Sequence, residues 1–113
     1  MSLTLIAAMA MAMTQGDPVD ATRKTYNDCL TSYTNESLEA KKPVSAFTKD
    51  AREACATQRE AFAGAMVKSE MQYGGKKAEA DTYAAEEVSM VVESFIANYG
   101  DYLSSNARMG APK

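Results

Sequence analysis

The stretch from residue 29 to residue 55 reads CLTSYTNESLEAKKPVSAFTKDAREAC and decides how the chain folds. It begins and ends with the only two cysteines, and its midpoint lies in the break Lys41-Lys42-Pro43. If the chain turns back at this break as an antiparallel helical hairpin, each cysteine lies 13 residues from residue 42, roughly 20 Å along its helix. The two cysteines therefore lie at the same level along the hairpin. Both also fall on apolar helix faces, so their side chains face each other. The sequence therefore predicts a disulfide between Cys29 and Cys55.

Two alternatives for the cysteines stay open, namely a pair of free buried thiols and a redox-active pair. The chain has no Cys-x-x-Cys motif, and no neighbouring group that would lower a thiol pKa, so redox chemistry is disfavoured. A structural bond that closes a loop of this size stabilises the fold by about 3.5 kcal/mol in the chain-entropy model.

Apolar residues recur at helical spacing in three segments on either side of these breaks. The first begins at Asp17 and Pro18, which are typical of a helix N-terminus, and ends at Lys41-Lys42-Pro43. The second runs from Pro43 or Ser45 to the glycine pair at 74–75. The third covers roughly residues 77–105, with Gly100 expected to fray it or end it early.

These segments predict an all-α fold, since no run of residues alternates as a strand does. We expect a three-helix, up-down-up antiparallel bundle in which the disulfide joins helices one and two. The helical domain is expected to span residues 13–105, followed by a flexible tail over residues 106–113.

The N-terminal residues 1–12 are interpreted as a signal peptide. The uncharged run from Leu3 to Met13 is 11 residues long, shorter than the roughly 20 that span a bilayer. Small residues stand at cleavage spacing in Ala8-Met9-Ala10 and Ala10-Met11-Ala12. Cleavage within a few residues of Ala12 would give a periplasmic or secreted protein without a stable membrane anchor. No Lys or Arg precedes the apolar run, so either the free N-terminus supplies its only charge or the true start lies upstream. The alternative to a leader is a buried N-terminal helix, because the stretch is apolar all round.

Composition excludes several classes of function. The chain has no histidine, which removes imidazole bases and His-ligated metals. A net charge of −3 disfavours nucleic-acid binding. Glu79, Glu86 and Glu93 repeat every seven residues, about 10.5 Å apart on a helix, too far to share a metal ion or act on one bond. We therefore expect no enzyme, no metal and no cofactor.

Four apolar residues fall outside the three helical stripes and form the candidate interaction surface: Val67, Met71, Tyr83 and Met90. The functional interpretation is protein–protein association, with an envelope partner or as a homo-oligomer. Two alternatives remain, scattered surface hydrophobes or a slight helix rotation that buries these side chains.

A second hypothesis for function is a carrier of small apolar ligands, with a cavity between the helices. Aromatic side chains would line this cavity: the tyrosines together with Phe47, Phe62 and Phe95.

Three short motifs carry a resemblance: Tyr26-Asn27-Asp28-Cys29-Leu30, Ala54-Cys55 and Arg59-Glu60-Ala61. With the leader, they resemble small exported two-cysteine helical proteins of Gram-negative bacteria. The resemblance implies a periplasmic location and a structural disulfide, and it implies no activity and no binding site.

Overall fold

A computed structural model describes residues 17–110 of the chain. This part folds into four helices: α1 (Pro18–Glu39), α2 (Val44–Glu53), α3 (Ala56–Gln72) and α4 (Lys77–Ser105). It contains no strand, so the all-α prediction is confirmed. The predicted count of three helices is wrong, because the second segment is divided into α2 and α3. The proposed signal peptide, residues 1–12, lies outside the described residues.

The start of α1 follows directly from its sequence. The Asp17 carboxylate accepts a hydrogen bond from the backbone N–H of Val19 at 2.9 Å, and Pro18 occupies the first turn. Both features satisfy or avoid the unpaired N–H groups of a helix N-terminus. At the other end Lys41 adopts a left-handed conformation with φ 55°, and Pro43 then directs the chain into α2.

The break between α2 and α3 is a correction to the sequence-based prediction. Ala54 is extended and Cys55 is left-handed with φ 57°, although neither glycine nor proline stands there. Arg59 Nη1 donates to the backbone carbonyl of Arg52 at 2.9 Å, which satisfies one of the open carbonyls at the end of α2. The kink divides the second segment into two helices, and both of them contact α4.

The disulfide prediction is confirmed, but its position differs from the one expected. Cys29 and Cys55 are bonded, with their Cα atoms 6.1 Å apart. Because Cys55 precedes α3, the bond joins α1 to the α2–α3 junction instead of to the middle of one continuous helix. It therefore fixes the kink against α1.

Long-range hydrogen bonds and shared clefts define the helix directions. The Tyr99 hydroxyl, near the end of α4, donates to the carbonyl of Lys42, just after α1. Val19, at the start of α1, lies in one cleft with Ser69, near the end of α3. The helices α1 and α4 thus run in the same direction, and α2 with α3 returns between them.

The core is centred on aromatic rings that are closed off from solvent. Phe47 stacks on Tyr99 with ring centroids 3.8 Å apart, and its ring lies 5.8 Å from that of Tyr33. Tyr26 and Phe62 form a second ring contact at 6.2 Å. Each of the four helices contributes at least one buried apolar residue, so the core spans the whole described bundle.

The end of α4 matches the expected bound at residue 105, and the residues that follow it contact α1. Gly100 does not end the helix, which continues to Ser105 before Asn106 turns left-handed. The segment that follows α4 is hydrogen-bonded to α1 at Met109. The Asn35 side chain accepts a hydrogen bond from the Met109 N–H at 2.9 Å and donates one to the Met109 carbonyl at 3.2 Å. This pair of hydrogen bonds attaches the segment to α1.

None of the helices between residues 17 and 110 is both long enough and apolar enough to cross a membrane.

Candidate interaction surfaces

A depression with a volume of about 680 Å³ lies between α3 and the first turns of α4. We call it the α3–α4 groove. It contains two of the four candidate interaction residues, and its lining is formed by Ala63, Gly64, Val67, Lys68, Met71, Gln72, Lys77 and Asp81.

The groove follows from the tight turn that joins its two helices. Gly74 adopts φ 94°, which favours glycine, and Gly75 donates its N–H to the Glu70 carbonyl at 3.0 Å. A Cβ on Gly75 would lie 3.0 Å from that same carbonyl oxygen, whereas a Cβ on Gly64 would meet nothing within 4 Å. The turn holds the helices side by side, and the missing side chain at Gly64 leaves the groove wall low.

The rim of the groove is basic. Lys77 Nζ forms an ion pair with Asp81 at 2.8 Å, one turn further along α4. Lys68 is exposed and makes no ion pair within residues 17–110. The charges of Lys77 and Asp81 offset each other, so the net charge of the groove lining is one positive charge, which Lys68 carries. This charge lies beside the apolar residues of the groove.

Tyr83 and Met90 lie on a different side of the molecule. Asp81 lines the groove, and Tyr83, two residues later, points about 200° away around α4. Tyr83 instead lines a shallow depression with Glu79 and Glu86. Met90 follows Tyr83 by seven residues, so it faces within about 20° of the same direction. We call the face formed by Tyr83, Met90, Glu79 and Glu86 the α4 ridge.

The structure thus places the four candidate residues in two pairs and not in one patch. Val67 is half-buried against the core and Met71 is 46% exposed, both in the α3–α4 groove. Tyr83 is 42% and Met90 66% exposed on the α4 ridge. The expected single surface was derived from helix faces alone, which do not fix how α3 and α4 are rotated against each other.

Sequence reasoning missed three residues of these surfaces. Gly64 and Lys68 line both the α3–α4 groove and a neighbouring cleft of about 500 Å³ between the start of α1 and the end of α3. Tyr73, which lines that cleft, is 87% exposed. A glycine inside an otherwise helical, alanine-rich pattern was the available signal for a low helix wall.

Two ion pairs connect neighbouring elements of the bundle. Lys42 Nζ donates to the Tyr33 hydroxyl and to Asp50, each at 2.9 Å, and these hydrogen bonds raise the pKa of Lys42. Arg52 holds Glu93 through two hydrogen bonds of 2.7 and 3.1 Å, which lower the pKa of Glu93. Lys42 and Glu93 therefore keep their charges near neutral pH, and each joins neighbouring elements.

No group of three or more histidine, cysteine, aspartate or glutamate side chains within residues 17–110 is arranged to hold a metal ion. The three phenylalanines proposed to line a carrier cavity lie in the core, with Phe47 and Phe62 fully buried and Phe95 7% exposed. Ring contacts fill the interior around Phe47 and Phe62. The carrier hypothesis stays a prediction.

Comparison of the chain with protein-family models, with curated proteins and with solved structures finds no match. The resemblance to exported two-cysteine proteins therefore stays a prediction, and function is inferred from the surfaces of this chain.

Proposed function

We propose that this chain is a non-catalytic, exported helical protein, periplasmic or secreted, that acts by protein–protein association. The observation that carries the proposal is the pair of exposed apolar surfaces, the α3–α4 groove and the α4 ridge. Each presents a methionine, Met71 or Met90, at 46% and 66% exposure. Methionine is flexible and polarizable, so it suits surfaces that adapt to a partner.

Export is supported by the disulfide. Disulfides persist in the periplasm and outside the cell, and they are rare where the cytosolic thiol pool keeps cysteines reduced. The Cys29–Cys55 bond joins two regions distant in sequence, as a structural disulfide does.

The exposure of the ridge argues against the idea that a small helix rotation buries these residues. Tyr83 faces away from the core side of α4, where Ala84, Val92 and Phe95 are buried. The remaining alternative is that these side chains are scattered hydrophobes without a partner, and an experiment decides between them.

Site-specific photo-crosslinking in the producing cell tests association. A photoreactive phenylalanine analogue is placed at position 71 or 90, with a matched control at Ser104, which is exposed near the end of α4. We expect discrete higher-mass adducts from positions 71 and 90 and none from position 104. Absence of adducts at both test positions, or equal adducts at all three, would refute association through these surfaces.

Intact mass spectrometry of the protein from its native compartment tests export. We expect a mass that begins near Met13 and thiols that alkylate only after reduction. A full-length mass with two freely alkylating thiols would contradict the proposed leader, compartment and disulfide.

The second candidate function, transport of a small apolar ligand, is favoured by one observation. The α3–α4 groove, at about 680 Å³, lies within the usual range of ligand pockets, about 300–1,000 Å³. An apolar fluorescent dye should then raise the melting temperature, and Val67→Lys should abolish that rise. A dye that leaves the melting temperature unchanged contradicts the carrier function.

A further inference from the structure

We infer that the two surfaces bind each other: the α4 ridge of one copy docks into the α3–α4 groove of a second copy. This inference rests on the proposed function, since it names a second copy of this chain as the partner.

The charges on the two surfaces are complementary. The groove lining carries Lys68 and the Lys77–Asp81 pair, which together leave one positive charge. Around Tyr83 the ridge carries Glu79 and Glu86 and no cation in its lining, and neither glutamate makes an ion pair within residues 17–110. Beyond Met90, Arg52 neutralises Glu93, so the negative charge of the ridge lies at its Tyr83 end. Docking ridge into groove therefore brings opposite charges together around apolar side chains.

The two symmetric alternatives lack this complementarity. Two grooves facing each other would place Lys68 of each copy near the other's positive rim. Two ridges facing each other would bring four glutamates together, since each copy contributes Glu79 and Glu86. Like charges held close at an interface are unfavourable, so the charge pattern selects ridge against groove.

The placement of the surfaces makes the association head-to-tail. Because they face opposite sides of α4, a chain that has received a ridge in its groove still presents its own ridge on the far side. Such heterologous contacts continue from copy to copy and form rings or open chains.

The contact is expected to be weak, because its apolar part is small. Met71, Tyr83 and Met90 expose only part of their side chains, whereas a standard stable interface covers about 800 Å² on each partner. We therefore expect association at protein concentrations of about 100 µM and above.

Sedimentation velocity of the disulfide-bonded chain over about 10 µM to 1 mM tests the inference. The wild type should sediment faster as concentration rises, and less so in high salt, because salt screens the rim charges. Met71→Glu places an acid opposite the acidic ridge, and Met90→Lys places a base opposite the basic groove. Each variant alone should remain monomeric.

An equimolar mixture of these two variants is the decisive sample. Met71→Glu keeps an intact ridge and Met90→Lys keeps an intact groove, so the mixture should associate again. The matched controls, Ser104→Glu and Ser32→Lys, change the same charges at exposed positions outside both surfaces and should sediment as the wild type does.

Three results overturn the inference: a wild type that stays monomeric, variants that associate like the wild type, or a mixture that stays monomeric. Loss through Met71→Glu alone would show a groove-to-groove dimer and would also overturn it. If circular dichroism shows that either variant is unfolded, the exposed rim variants Lys68→Glu and Glu86→Lys replace them. A monomeric wild type that still crosslinks in cells from position 71 or 90 would refute self-docking and leave the proposed function standing.

Discussion

Two fully buried tyrosines, Tyr26 and Tyr99, differ in whether their hydroxyl group is hydrogen-bonded. Substitution of each by phenylalanine removes only the hydroxyl oxygen, and we expect the free energy of unfolding to fall only for Tyr99→Phe. The Tyr99 hydroxyl donates to the Lys42 carbonyl at 2.7 Å. The Tyr26 hydroxyl is buried and has no hydrogen-bond partner among residues 17–110. The two substitutions thus compare a satisfied with an unsatisfied polar group in one core.

The magnitudes follow from the cost of burying an unpaired hydroxyl. A polar group buried without a partner costs about 1–3 kcal/mol, and a typical hydrogen bond contributes about 1 kcal/mol. Tyr26→Phe keeps the ring contact with Phe62, so the free energy of unfolding should be unchanged or rise by up to about 2 kcal/mol. Tyr99→Phe keeps the stack on Phe47 but leaves the Lys42 carbonyl unpaired, so the free energy of unfolding should fall by about 1–3 kcal/mol.

Urea unfolding at pH 7, followed by circular dichroism with the disulfide intact, measures both changes. The slopes of the transitions should match, so that midpoint shifts report stability. A loss of about 1 kcal/mol or more in Tyr26→Phe, equal to that in Tyr99→Phe, would refute the reasoning, since it would mean that the Tyr26 hydroxyl is satisfied.

The same pair predicts the alkaline limit of the fold. Burial raises the pKa of both Tyr26 and Tyr99 above the ordinary value of 10.0. The folded state thus favours the neutral phenol. The contribution of these two tyrosines to the free energy of unfolding is therefore fully present below pH 10, and it is lost as pH rises through their pKa values in the folded state. Urea midpoints measured from pH 9 to pH 12 should fall less steeply in Tyr26→Phe than in wild type, and parallel curves would contradict the assignment.

Three further predictions concern single features of the bundle. Reducing the Cys29–Cys55 bond, which spans 26 residues, should lower the free energy of unfolding by about 3.5 kcal/mol in the chain-entropy model; a chemical denaturation midpoint that does not change on reduction would contradict this. Asn35→Ala should release the Met109 amide to rapid hydrogen exchange and lower stability by about 1 kcal/mol, whereas continued protection of that amide would show another attachment. Gly100→Ala should raise stability by about 0.5–1 kcal/mol, because the added Cβ meets only a side-chain methyl at 3.7 Å; a lower melting temperature would show that this space is too tight.

The sequence predicts the ends of the long helices well because local chemistry sets them. Asp17 and Pro18 begin α1, and Pro43 separates α1 from α2. Gly74 forms the turn between α3 and α4. Each of these residues acts through backbone preferences that extend over only a few residues. The cysteine spacing also predicts the disulfide, because a hairpin about residue 42 brings both sulfurs to one level.

The kink at Cys55 and the separation of the two surfaces could not be predicted in this way. Cysteine has no preference for the left-handed conformation, so φ 57° there reflects tertiary packing and the Arg59–Arg52 contact. The relative rotation of α3 and α4 likewise depends on the turn at Gly75 and on core packing. Apolar periodicity alone therefore placed Val67 and Tyr83 in one patch.

The Asn35–Met109 attachment has a practical consequence for attaching a reporter to the chain. Asn35 lies 18 residues after Asp17 on one continuous helix, so Met109 is held roughly 27 Å from the start of α1. A fluorescent protein joined after Gly110 would leave the bundle at that distant end. The same reporter joined ahead of Asp17 would begin in the cleft between α1 and α3 and would obstruct that cleft. Lys68 lines both this cleft and the α3–α4 groove, so the reporter would also lie next to the groove.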